Sequence, residues 1–224
     1  MNLFDVMGPI MVGPSSSHTA GAVKIGYTAR KLLRDEIRSA SLYLHGSFLA
    51  TGKGHGTDKA LIAGLLGMQP DDERIPESFQ IASRKGMKFE FIGIELRNAH
   101  PNSVMLKLEG TRGNKLEIVA SSIGGGAIMV NQIDGIEANI CACNPTLIIN
   151  NIDQPGHVSL VASVLGQKAV NIATMHIYRD RRGGKATMII ECDQEVPEDA
   201  IELLHRTDGV SKVTYLSMEE EHEF

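Results

Sequence analysis

The chain has 224 residues, more than the ~100 to 150 of one ordinary domain, so two domains are expected. With 42% hydrophobic and 22% charged residues it is composed like a folded globular protein, which excludes a disordered or collagen-like chain. Its 22 Lys and Arg stand against 27 Asp and Glu, for a net charge of -5, and 4% aromatics with no Trp leave neither a cationic field nor a stacking surface for nucleic acid.

The opening stretch MNLFDVMGPIMVGP has no basic segment and no small-residue cleavage pattern, and two prolines interrupt it, so it does not read as a signal peptide. No apolar run reaches the ~18 to 20 residues of a membrane span. Three cysteines, an odd number, suit reduced thiols better than a disulfide framework. A cytoplasmic protein without a membrane or nucleic-acid partner is expected.

SHTAGAVKIGYTARKLLRDEI reads as a helix, with Ala22, Ile25, Ala29 and Leu32 on one side and Ser15, Ser16 and Ser17 where its cap belongs. Strand-like runs follow at SLYLHG, KFEFIGIEL, SVMLKLEG, LEIVASSI and AIMVNQI, with a helix, DKALIAGLLG, between the first two. This is a mixed α/β domain, expected over residues 1–145.

A boundary at Asn144-Pro145 follows from the bias of a residue before proline against helical backbone. Beyond it, TLIINNI reads as a strand and HVSLVASVLGQK as a helix whose packed face holds Val158, Leu160, Val161, Val164 and Leu165. Two strands follow, one alternating Ala173, Met175 and Ile177 inward, the other Ala186, Met188, Ile190 and Cys192. Pro197 opens a second helix, with Glu198 and Asp199 in its first turn, and GVSKVTYLSM is the last strand. The order βαββαβ is that of a ferredoxin-like sheet with two helices on one face, expected over residues 146–224 and ending in a solvated acidic tail, EEEHEF. The whole chain is therefore of the α+β class.

Chemistry concentrates in the first part. Gly13-Pro14-Ser15-Ser16-Ser17-His18-Thr19 brings hydroxyls, an imidazole and unpaired N–H groups to a helix start, a setting for an anion; an ordinary cap needs only one of those serines. Thr51-Gly52-Lys53-Gly54-His55-Gly56-Thr57-Asp58 reads as a loop leading into a helix capped by Thr57. Its spacing is not that of a Walker A loop, and Lys53 and His55 give it a cation and a group able to titrate near neutrality. Asn98-Ala99-His100-Pro101-Asn102 is a third polar turn. Ser121 to Gly126 is either a close backbone approach or a bend between strands. No histidine or cysteine spacing suits a metal, and Cys141-Ala142-Cys143 reads as two small hydrophobes, so no metal is placed in this chain.

In order, GPSSSHTAGA, HGSFLATGKGHGTDKA and NAHPNS resemble the motifs of the β subunit of iron-sulfur-dependent L-serine dehydratase (L-serine ammonia-lyase). Asp153-Gln154-Pro155-Gly156 and Val170-Asn171-Ile172 resemble an ACT regulatory domain. The resemblance implies a first domain similar to the allosteric substrate-binding domain of some phosphoglycerate dehydrogenases. It also implies a [4Fe-4S] cluster on a separate, cysteine-rich α subunit, and β-elimination from L-serine to ammonia and pyruvate, with an open iron position acting as Lewis acid on the departing hydroxide. On this resemblance His55, Lys53, His18 and His100 are the catalytic candidates, His55 foremost for proton handling. Ser15, Ser16, Ser17, Thr19, Thr51, Gly52, Asn98 and Asn102 are the candidates for binding substrate. Asn151, Asp153, Gly156 and Asn171 are expected to hold an amino-acid effector, with self-association through the ACT domain. The alternative is a non-catalytic amino-acid-sensing module.

Overall fold

A computed structural model describes residues 10–217; the start of the chain and the EEEHEF tail lie outside the described residues. The chain divides into two compact units after Cys141.

In the first unit a single π-helical turn, Ser16–Ala20, runs directly into α1 (Gly21–Leu33). Ala22, Ile25, Ala29 and Leu32 are all buried, as the helical period predicts. Strand β1 (Ile37–Leu44) is followed by α2 (Gly46–His55), α3 (Thr57–Leu65) and the short α4 (Ser78–Arg84). The chain then returns in β2 (Lys88–Gly93), parallel to β1, and continues through β3 (Ser103–Gly110), β4 (Lys115–Gly124), β5 (Ala127–Ile133) and β6 (Ile136–Ile140). The six strands form one sheet in the order β2-β1-β3-β4-β5-β6, antiparallel except for the β1-β2 pair. Register aligns Leu42 with Leu106 and Leu106 with Ile118, all fully buried, so alternate residues of successive strands make one apolar face. Helix α1 packs on that sheet and against α3. The two helices meet at glycines: a methyl on Gly26 would lie 2.4 Å from the Leu61 carbonyl oxygen, and one on Gly64 only 2.0 Å from that of Val23. No larger residue permits this crossing.

The five expected strands are present. A sixth, β6, not expected from the sequence, follows a tight Asp134-Gly135 turn in which both residues have positive φ, as a two-residue hairpin loop requires.

The second unit has the expected βαββαβ order: β7 (Thr146–Ile152), α5 (His157–Gln167), β8 (Ile172–Arg179), β9 (Lys185–Cys192), α6 (Glu198–His205) and β10 (Val210–Leu216). Its sheet runs β10-β7-β9-β8. Leu147, Ile149, Met188 and Ile190 pack with Val161, Leu165, Ala200 and Leu204 to form its core.

Two details differ from the sequence reading. Val158 and Leu160, expected on the packed face of α5, are 44% and 39% exposed; the buried stripe is His157, Val161, Val164 and Leu165, one helical face displaced by a residue. On β8 the inward alternation of Ala173, Met175 and Ile177 holds only at Met175, which is half-buried against the core; Ala173 and Ile177 are exposed. A register irregularity between Ile172 and Thr174 brings Ile172 to the core in place of Ala173 at this edge strand.

Candidate functional site

The glycine-rich stretch is a helix and not a loop. Residues 46–55 form α2, despite about 1 kcal/mol of lost propensity per interior glycine, because Phe48 is fully buried and Gly52 packs against Thr57. Gly56, at φ 69°, separates α2 from α3. Thr57 therefore does not cap: its hydroxyl is buried without a hydrogen-bond partner.

The helical form aligns Ser47, Thr51 and His55 at i, i+4 and i+8, on one face. That face meets His18 on the π-helical turn. The His18 Nε2 atom lies 3.0 Å from Ser47 Oγ and 3.1 Å from Thr51 Oγ1. Thr51 gives its hydroxyl proton to the Ser47 carbonyl (2.9 Å), so of the two hydroxyls facing His18 Nε2 only that of Ser47 is free to donate. His55 Nδ1 lies 3.1 Å from the Thr51 carbonyl oxygen, which can only accept. The His55 proton is therefore on Nδ1, leaving an Nε2 lone pair with no partner among the described residues. The two imidazole rings stand 4.9 Å apart, and Phe48 packs edge-on to His18 at 5.4 Å. Burial, and then the neighbouring His55 charge, hold the His18 pKa below its ordinary 6.5.

Ser15 caps the turn, its Oγ accepting from the His18 N–H at 3.1 Å. The Thr19 hydroxyl donates to the His55 carbonyl at 3.1 Å, tying the π-helical turn to the end of α2. The N–H groups of Ser16 and Ser17 have no acceptor among the described residues, and their side chains are half-buried at the helix start. Gly52 is buried inside α2. Lys53 is exposed and, two residues beyond Thr51, stands roughly 200° around the helix from it, away from the His18 face.

The third motif arrives through backbone. The Ser47 N–H donates to the Pro101 carbonyl at 2.7 Å, so Ser47 touches the 98–102 turn with its main chain and His18 with its side chain. Gly46, at φ 55°, permits this approach, since a Cβ there would lie 2.5 Å from the Pro101 oxygen. His100 is exposed and its Nδ1 accepts from the Asn102 N–H at 3.1 Å, which places the His100 proton on Nε2. Asn98, in the left-handed region at φ 55°, is also exposed, and Asn102 is half-buried. Ser47 was missed in the sequence because the stretch read as a loop; the four-residue spacing of Ser47, Thr51 and His55 was the available signal.

In the second unit the four expected effector residues do not converge within one chain. The Asp153 carboxylate accepts from Arg179 and from the Gly183 N–H, both at 3.0 Å, and so clamps the β8–β9 hairpin to the end of β7. These bonds, the Gly183 N–H first, hold its pKa below the ordinary 3.8. Asn171 bonds Asp193 at 2.6 Å, at the opposite end of β8 from Arg179 and Asp153, about 25 Å away at the rise of a strand. Asn151 is buried, its amide donating to the Ile152 carbonyl and its Oδ1 unpartnered. Gly156, at φ 100°, opens α5 and lines a cleft of about 510 Å³ with His157, Leu160, Leu203, Arg206 and Asp208. His157 is 7% exposed, and its Nδ1 has no partner.

The family model for the serine dehydratase beta chain matches residues 2–85, and that for the ACT domain matches residues 146–209. The chain is 38% identical to the probable L-serine dehydratase beta chain of Bacillus subtilis, over 96% of this chain and 98% of that one. It is 40% identical to the L-serine dehydratase beta chain of Peptoniphilus asaccharolyticus, over 87% and 88% of the two chains. The chain belongs to the serine dehydratase beta chain family. It is also 28% identical to D-3-phosphoglycerate dehydrogenase of Methanocaldococcus jannaschii, over 52% of this chain and 22% of that one. Within this beta chain the site at His18 draws on residues inside the matched 2–85 segment, while the 98–102 turn lies beyond it.

The described residues of this beta chain do not fit an iron-sulfur cluster. Among the described residues no group of three His, Cys, Asp or Glu could hold a metal ion. Cys192 is buried in β9, where burial pushes its thiol up to about 11, the reverse of what a thiolate ligand needs. Cys141 and Cys143 alone cannot supply the usual four thiolates. No helix among the described residues is long and apolar enough to cross a membrane.

Proposed function

We propose that this beta chain works as one subunit of an L-serine ammonia-lyase, deaminating L-serine to pyruvate and ammonia together with a cysteine-rich α subunit that carries a [4Fe-4S] cluster. The observation that carries the reading is the convergence on His18 of stretches widely separated in sequence, through Ser47, Thr51 and His55. Polar residues at a protein surface ordinarily face water singly. Here the His55 and His100 tautomers are set by hydrogen bonds to backbone, and His55 Nε2 is left with a lone pair.

The roles follow from those atoms. The unpaired N–H groups and hydroxyls at Ser16 and Ser17, at a helix start that favours negative charge, hold the serine carboxylate. His55 Nε2 takes the α proton, its Nδ1–H oriented by the Thr51 carbonyl. Neutral His18 keeps the neighbouring charge low, so that His55 can gain a proton without facing a second cation. His100 presents an Nε2–H at the rim. The cluster supplies Lewis-acid chemistry from the partner subunit.

For the second unit we propose an amino-acid effector at the Gly156 cleft. The start of α5 and Arg206 suit a carboxylate there, and Asp208 suits an ammonium group. Asp153 is committed to its clamp and does not serve as the ammonium partner within one chain. Self-association uses the β8 edge, where Ile177 is exposed.

The test is anaerobic co-expression with the partner subunit, followed by iron analysis and a pyruvate assay. The isolated chain is expected to hold no stoichiometric iron and to leave serine unchanged, and the complex to form pyruvate. A complex that binds serine but whose turnover survives His55→Ala intact favours the sensing module instead.

A further inference from the structure

Three consecutive carbonyls of the 98–102 turn are held from three directions. The Ser103 hydroxyl donates to the His100 carbonyl at 2.5 Å, the Ser47 N–H to that of Pro101 at 2.7 Å, and the Ser122 N–H to that of Asn102 at 2.9 Å. Two of these donors are main chain. The third is a hydroxyl, fully buried on β3, and it belongs to a larger network. Ser103 Oγ lies 2.8 Å from Ser121 Oγ, which is also buried, and Ser121 Oγ lies 2.7 Å from Asn131 Oδ1 on β5.

The two hydroxyls own two protons but make three contacts. In two proton orders the His100 carbonyl is held: Ser103 donates to it while Ser121 donates either to Asn131 Oδ1 or to Ser103. In the third, Ser103 donates to Ser121 and Ser121 to Asn131, and the His100 carbonyl is released. The order chosen decides how firmly the turn is held, because a buried carbonyl left without its donor is costly. The His100 ring depends on that turn, because its Nδ1 is occupied by the N–H of Asn102 two residues on.

We propose that Ser103 is a positioning residue that, with Ser121 and Asn131 setting its proton order, holds the 98–102 turn so that His100 presents Nε2–H. Its value to turnover rests on the enzymatic reading of His100 given above; the positioning itself does not. Asn131 competes with the turn for the hydroxyl protons, so changing it to a group that only accepts draws those protons inward.

The experiment uses the full chain with ¹⁵N-labelled histidine, read by NMR at neutral pH, and the same variants assembled with the partner subunit. Ser103→Ala and Asn131→Asp are both expected to convert the single His100 tautomer into a mixture and to speed amide exchange at Asn102, while Ser103→Thr restores the tautomer. In the complex they are expected to lower kcat by about tenfold or more with little change in KM, as misplacement of a reacting group does. Asn131→Asp acts from a half-buried position and keeps the test available if Ser103→Ala folds poorly. An unchanged His100 tautomer in both variants overturns the positioning role. A scrambled tautomer with undiminished kcat supports the positioning and overturns the role of His100 in turnover.

Discussion

The two units spend their polar groups differently. In the second, Asp153 is tied to Arg179 and Gly183, Asn171 to Asp193, and Lys168 to Asp199, so these groups hold strands, turns and helices together. The first has such ties as well, Asp35 to Arg112 and Lys107 to Glu117, but there backbone hydrogen bonds also fix the His55 and His100 tautomers and leave each Nε2 without a partner among the described residues. A polar group satisfied by its own fold contributes to stability, whereas one oriented but not satisfied is available to a ligand. By that criterion the first unit has the oriented side chains that the proposed chemistry needs, and the proposed effector cleft of the second relies mainly on backbone N–H groups at the start of α5.

The largest effect is expected from Phe48→Ala. Phe48 is fully buried beneath α2 and packs against His18, so its loss costs about 3–5 kcal/mol by cavity formation and also displaces the Ser47, Thr51 and His55 face. Denaturant unfolding together with the pyruvate assay should show stability and turnover falling together. Ser47→Ala sharpens the contrast, because it removes one His18 partner at modest structural cost, on the order of 1 kcal/mol. Turnover of the complex should drop severalfold while the unfolding midpoint hardly moves; equal losses in both would return Ser47 to a purely structural role.

The second unit should respond to pH through its clamp. Asp153 has a folded pKa below 3.8, so the stability it adds is present above that value and is lost as pH falls through the lower folded value. Asp153→Asn is therefore expected to speed amide exchange in the β8–β9 hairpin, Gly183 above all, at pH 6, and to differ little from the wild type in strong acid. The carboxylate is a quarter exposed and its partner Arg179 more than half exposed, so the effect is small and weakens with salt. Smallest of all is a shift in titration. His18 should titrate below 6.5, and since a histidine with a lowered folded pKa binds its proton less well folded than unfolded, protonation as pH falls opposes folding. His55→Asn should raise the His18 midpoint by NMR but not restore it fully, because burial is the larger cause.

Periodicity revealed the second unit almost whole, since each strand and helix there buries a regular apolar stripe and proline or glycine marks its ends. It misplaced Val158 and Leu160 because several apolar residues in one short helix leave the buried face ambiguous, and only contact with the sheet selects the stripe through Val161. Composition misled at α2, where three glycines in Gly46–His55 argue against a helix that a single buried Phe48 and packing on α3 enforce. The motif residues Ser15, Thr19, Thr51 and His55 were legible and do lie together around His18. Lys53 was named for its charge and its place in the second motif, and the helix turns it away from His18. Asn171 was named by its place before a strand, but β8 runs parallel to β7 in the sheet, so it starts at the end remote from Asp153.

Turnover of the complex bearing His55→Ala measures most directly whether the His18 cluster is the working site. His55 is half-buried at the end of a helix and is not part of the core, so thermal unfolding should stay close to that of the unaltered protein. Loss of a positioned base is expected to lower kcat by about 10² to 10⁴-fold. Serine deamination within a factor of about two of the unaltered complex, on material equally folded, would contradict the assignment of proton transfer to this chain.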